Sequence, residues 1–245
     1  MDKVMKVTLA LFLIILAAFT GYIAYNRYAE SAYRESIAGT YSYACTITTD
    51  GILRNVTFFL PVPADGNGNS PIVSAFSNRT ITGIPADWNP TLFDTGKATL
   101  VKITTPSLVP PQGTSPVNPS TIRFEYEFRS KSVIDTLDPV GRSAMFRPVH
   151  NIAAGSCPPG AGSVPGGQCE SYTTSLYADY LTTPETNVTI RASVTGRNTW
   201  NVFGPHANEY RTDVIVVMKG THKGWADLAG SLERGAGSYD IPGGS

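Results

Sequence analysis

The chain reads as a mainly β protein: an N-terminal transmembrane helix followed by an antiparallel β-sandwich, Ig-like or jelly-roll-like, with long irregular loops. Three observations predict this. Residues 7–25, VTLALFLIILAAFTGYIAY, carry neither a charge nor a proline. Beyond Gly39 the hydrophobic period changes from helical to alternating, as in YSYACTITT and TIRFEYEFR. Seven to nine short runs then recur between clusters of Gly, Pro, Asn and Asp, with no strand–helix alternation of the kind a parallel sheet needs.

Nineteen uncharged residues, at about 1.5 Å each, nearly cover a hydrocarbon core of ~30 Å. Lys3 and Lys6 precede them, which favours a cytoplasmic N-terminus and an exported remainder. Tyr22, Tyr25 and Tyr28 fall where an interfacial aromatic belt belongs. Helix formers continue through NRYAESAYRESIAG to Gly39, a C-cap residue, so one helix is expected over residues 4–38. A cleaved signal peptide is the rival reading, but no A-x-A site follows the apolar run. The expected layout is a cytoplasmic tip, signal-anchor helix and short stalk over 1–39, then an extracytoplasmic sandwich over 40–245. That places the protein in the cell membrane as a single-pass protein.

A long N-terminal helix leading into a β domain resembles the outline of type IV pilin-like subunits, which implies assembly into a filament through the helix. MDKVMKVTLALF departs from that family's pattern. It has neither a Gly or Ala cleavage position at the boundary nor a Glu within the apolar run.

Within the β region, Asp50-Gly51 between YSYACTITT and ILRNVTFFL predicts a tight hairpin. In TIRFEYEFR, Ile122, Phe124, Tyr126 and Phe128 share one face, and Arg123, Glu125, Glu127 and Arg129 the other. Further strands are expected at PIVSAF, RTITGI, ATLVKITT, TNVTIRASV, TWNVF and YRTDVIVVMK. The Pro-rich stretch 106–119 predicts a loop. Residues 135–184 predict a long irregular insertion centred on GSCPPGAGSVPGGQC, and GWADLAGSLERG a short terminal helix.

Cys157 and Cys169 bracket the Gly/Pro-rich loop, and a disulfide there would stabilise by about 3 kcal/mol in the chain-entropy model. An exported domain sits where such a bond persists. Cys45, on an apolar strand face, defaults to a buried thiol, although the spacing alone leaves it open to pairing with either of the others. Sequons at Asn55, Asn78 and Asn187 are N-glycosylation candidates beyond the tether.

Chemistry-bearing patterns are few. Charged residues are 16% of the chain, and 19 basic residues balance 19 acidic ones, so no basic stripe suits nucleic acid. In PADGNGNSP, residues Asp65, Asn67 and Asn69 mimic the start of a calcium loop, but the sixth position is Ser70 and the twelfth Phe76, which favours a turn. Glu125 and Glu127 are side by side on one strand face, with Arg123 and Arg129 as simpler partners than a substrate. His150, His206 and His222 are scattered, with no metal spacing, and no nucleophile or phosphate-loop motif occurs. No catalytic, metal or cofactor residue is assigned. The expected function is a non-enzymatic structural or binding role at the cell surface, with the membrane and an extracellular protein or glycan as partners. A filament subunit and a cell-envelope hydrolase are the alternatives.

Overall fold

The computed structural model describes residues 3–70, 72–94, 99–111, 114–115, 118–155 and 168–239. The chain opens with α1 (Lys3–Ser36), one unbroken helix long and apolar enough to cross a membrane. Its apolar part is bare on all sides, and only Ala29 is buried.

Strands β1 (Ala38–Thr49), β2 (Leu53–Pro61) and the short β3 (Pro63–Ala64) follow, then α2 (Val73–Ser77) and β4 (Asn89–Asp94). Next come β5 (Thr99–Leu108), β6 (Ser120–Arg129), α3 (Pro139–Arg142), β7 (Met145–Phe146) and β8 (His150–Ala154). Four long strands complete the chain: β9 (Gln168–Leu181), β10 (Asn187–Asn201), β11 (Pro205–Lys219) and β12 (His222–Gly237). They form one antiparallel sheet in the order β4-β5-β2-β9-β12-β11-β10-β1-β6, with β8 also on β9, while β3 pairs with β7.

That order forces the sheet to curl. β1 and β2 are joined by residues 50–52 alone, yet four strands lie between them in the order. In a flat sheet five strand spacings are about 24 Å. Four residue steps reach at most about 14 Å. The two wings must therefore face each other, as in a sandwich, and one buried cluster accordingly takes Val101 from β5 and Phe124 from β6, on opposite wings of the order. Asp50-Gly51 is thus an arch between wings and not the hairpin its dipeptide predicts, since β1 pairs with β10 and β6 and β2 with β5 and β9.

Strict alternation supplies the core. Tyr43, Cys45 and Ile47 of β1, Ile190, Ala192 and Val194 of β10, and Leu228 and Leu232 of β12 all point inward. Phe76 of α2 and Phe146 of β7 plug the space between the wings, 6.3 and 6.4 Å from the Tyr43 ring. Two glycines are required by close approach. A Cβ at Gly196 would lie 2.2 Å from the ring of its cross-strand partner Tyr210, and one at Gly230 would lie 2.6 Å from that of Tyr172. Both tyrosines are anchored: Tyr210 donates to the Ala144 carbonyl at 2.5 Å, and Tyr172 bonds Thr212 at 2.5 Å.

Four further expectations are corrected. PIVSAF contributes α2 and no strand; RTITGI makes only an isolated bridge, Thr82 to Glu125. The supposed irregular insertion contains β9, a fourteen-residue strand hydrogen-bonded to β12 along its length. GWADLAGSLERG is no helix but most of β12, held between β9 and β11.

Candidate functional site

The molecule has two ends. At one, the last turns of α1 pack on the β10–β11 turn, with Ala29, Trp200 and Val202 buried together. The opposite, distal end carries the β1–β2, β9–β10 and β11–β12 connections. On the outer surface toward this end an aromatic row crosses the sheet.

Parity builds it. Inward-facing Phe58, Leu176 and Ala178 leave Phe59 and Tyr177 pointing out, and inward Leu228 sets Trp225 outward on β12. Register then aligns them: Lys102 opposite Phe59, Phe59 opposite Tyr177, Tyr177 opposite Trp225. Phe93 of β4 closes the row, its ring centroid 5.0 Å from Phe59. Tyr177 lies 5.4 Å from Phe59 and 5.7 Å from Trp225. All three contacts are edge-to-face, with interplanar angles of 74°, 88° and 73°. Lys102 places its ammonium 5.7 Å from the Phe59 centroid, within cation–π range. Trp225 remains 57% exposed and Phe93 45%.

One step further toward the tip the row turns polar: Thr57, Asp179 and Lys223 are in register. Beyond them an open crevice of about 620 Å³ is bounded by Asp50, Ile52, Arg54, Leu181 and Glu185. Its rim is braced. Asp50 accepts from the backbone and side-chain amides of Asn187 at 2.7 and 2.8 Å, and Thr182 donates to the Ile52 carbonyl at 2.7 Å. Ile52 and Leu181 stand exposed on the two sides. Together these residues make a rigid, partly apolar surface rimmed by charge, which suits non-covalent recognition.

The remaining sequence candidates are placed elsewhere. Asp65 accepts the backbone N–H groups of Asn67 and Asn69 at 2.8 and 2.9 Å, so PADGNGNSP is a turn closed by its own carboxylate. Glu125 accepts from Arg123 at 3.0 Å, and both are more than half exposed. Glu125 and Glu127 border a shallow trough of about 610 Å³ on the other wing, which also takes in Arg123 and Arg211. His206 stacks on Trp200 at 5.7 Å, His222 on Tyr180 at 6.4 Å, and His150 is on β8, so the three do not converge. No group of three metal-ligating side chains occurs among the described residues.

Cys45 is a free, buried thiol, and burial pushes it up to about 12. Cys157 lies outside the described residues, while Cys169 is the second residue of β9. Asn55 and Asn78 are exposed, whereas the Asn187 amide is engaged by Asp50. The aromatic row escapes a search for chemical motifs. Its signal is large apolar residues on the wrong parity of otherwise well-patterned strands: Phe59, Tyr177 and Trp225.

No protein-family model, no curated protein and no solved structure matches this chain.

Proposed function

We propose that this is a membrane-anchored, extracytoplasmic binding protein that engages a protein partner through its distal aromatic face and catalyses no reaction. The observation that carries the reading is the row Phe93–Phe59–Tyr177–Trp225 toward the distal end, with Phe93 and Trp225 exposed and Phe59 and Tyr177 half-buried between them. Trp and Tyr dominate the energetics of protein interfaces because they remove large apolar area from water at little entropic cost. The edge-to-face rings offer slots between aromatic edges, which fit protruding apolar side chains better than the flat face of a sugar. Lys102, Asp179 and Lys223 supply the polar rim of such an interface.

In this reading Lys3 and Lys6 lie inside and the β head outside, an orientation supported by the positive charges that precede the apolar run. Protease added to intact cells is expected to remove the head, and full protection would overturn this orientation. Cys157 and Cys169 form a disulfide in this reading. It is supported by Cys169 not being free and by Cys45 being a free thiol within the core.

A benzophenone analogue of phenylalanine in place of Phe93, irradiated on intact cells, tests the binding role. The expected result is a discrete protein adduct that disappears with Trp225→Ala and Tyr177→Ala together. No adduct, or one indifferent to those changes, overturns the reading. An adduct with a second copy of the chain replaces it with self-assembly, and a carbohydrate adduct with a glycan partner.

A further inference from the structure

We propose that the β10–β11 turn is a second membrane contact, in which Phe203 lies with Tyr25 and Tyr28 in the lipid headgroup region and holds the β head in one orientation on the bilayer. The proposal rests on the reading of α1 as a membrane anchor and extends it to a part of the chain far away in sequence.

Height is the first argument. Tyr25 ends the apolar run of α1, with Asn26 and Arg27 next, so its ring marks the level at which the hydrocarbon core gives way to headgroups. Phe203 stacks on that ring at 5.0 Å with planes 4° apart, and its centroid is 5.6 Å from Tyr28. Whatever level Tyr25 occupies, Phe203 shares it.

The second argument is rigidity, since a swivelling head would lift the turn away. Ala29 is fully buried against Trp200 and Val202, with Ala32, Tyr33 and Ile37 packed around them. Tyr33 meets Trp200 edge-on at 5.7 Å. The Ser36 hydroxyl accepts from the Asn201 N–H at 2.9 Å and lies 3.3 Å from the Asn201 carbonyl. The helix and hairpin are one body at this point, and the hairpin belongs to the central sheet.

Phe203 itself supplies the third. It is 64% exposed, and its φ is +55°. A bulky apolar residue in the left-handed region, at the tip of a turn and open to water, is disfavoured twice over: backbone sterics favour Gly or Asn there, and solvent favours a polar side chain. An interfacial lipid environment removes the second penalty, because aromatic rings are at their most favourable at that depth. Arg27, two residues past Tyr25 and without an ion-pair partner among the described residues, is placed to meet lipid phosphates.

The test uses the full chain reconstituted in vesicles of phosphatidylcholine and phosphatidylglycerol. The benzophenone analogue replaces, one at a time, Phe203, Leu13 in mid-helix and Phe93 on the distal face, and lipid adducts are counted by mass spectrometry after irradiation. Position 203 is expected to yield lipid adducts at about ten times the level of position 93, as an interfacial aromatic should. Lipid adducts at 13 with none at 203 overturn this proposal and leave the anchor standing. Absence of lipid adducts at 13 overturns the anchor and this proposal with it, and an adduct from 203 to another protein copy assigns the turn to self-association.

Discussion

The two wings of the sheet share one core and one solvent, yet their outer surfaces are built by opposite rules. On β6-β1-β10-β11 the outward residues are mostly Ser, Thr and charged side chains, several of which pair, with Ile215 and Val217 of β11 exposed beside them. Arg123 pairs with Glu125 at 3.0 Å, Arg191 and Arg211 both reach Asp213 at 3.0 and 2.7 Å, and Arg197 faces Glu209 at 3.7 Å. On β4-β5-β2-β9-β12 the corresponding positions hold Phe93, Phe59, Tyr177 and Trp225, whose rings meet one another and Lys102, with the Tyr177 hydroxyl 3.5 Å from Asp179. The charge pairs of the first wing need nothing outside the sheet to complete them. The second wing keeps apolar area in water at a free-energy cost that association would remove.

The largest effects belong to the interior, where the wings should behave alike. Gly196→Val and Gly230→Val each drive a side chain into a tyrosine ring, and each is expected to destabilise by about 3 kcal/mol in urea unfolding. A cost confined to one wing would break the symmetry of the core. The outer surfaces should then diverge. Trp225→Ala is expected to weaken partner binding by about 2 kcal/mol, or roughly 30-fold, with an unchanged unfolding midpoint, as befits a hot-spot side chain at the surface. Arg211→Ala should leave that binding intact; equal loss from both would abolish the distinction between the wings.

Alkaline titration probes the interior under the charged wing. Cys45 is raised by burial to about 12 from 9.0, so below pH 9 both folded and unfolded chains keep the proton and its contribution is fully present. Above pH 9 the unfolded thiol ionises first, and stability falls with rising pH until the folded thiol ionises as well. At pH 10 the difference between the parent and Cys45→Ala curves should have shrunk by about 1 kcal/mol. A difference that stays flat to pH 11 would place Cys45 in contact with water. Smallest of all, Arg123→Ala removes a pair that is more than half exposed, and its stability cost should stay below about 0.5 kcal/mol.

Much of this architecture is legible in the residues, and the failures have physical causes. β10 reads as two strands, TNVTIRASV and TWNVF, that the structure joins into one ending at Asn201, while α1, β1, β6 and β11 follow from unbroken apolar or alternating patterns. β12 does not, because Leu228 and Leu232 are four apart and satisfy a helical stripe as well as a strand face. Gly230, between them, decides the matter only once Tyr172 is known to lie across it. In β9, Tyr172, Leu176 and Tyr180 are likewise four apart and become an alternating face only with Thr174 and Ala178 between them, next to a Gly/Pro-rich stretch that masks the pattern. Asp50-Gly51 has the right local chemistry for a hairpin; the crossing to the other wing is a long-range choice that no dipeptide encodes. Likewise the aromatic row is invisible until register places Phe59, Tyr177 and Trp225 side by side.

The fifteen-residue span of β11 has a consequence for scale. From Pro205 beside the helix to Lys219 at the far connection it extends about 50 Å. With α1 upright in a bilayer and its hairpin locked, that strand is a measuring rod. On the proposed topology it would set the altitude at which Trp225 and its neighbours are displayed, and with it the height at which any counterpart must meet them.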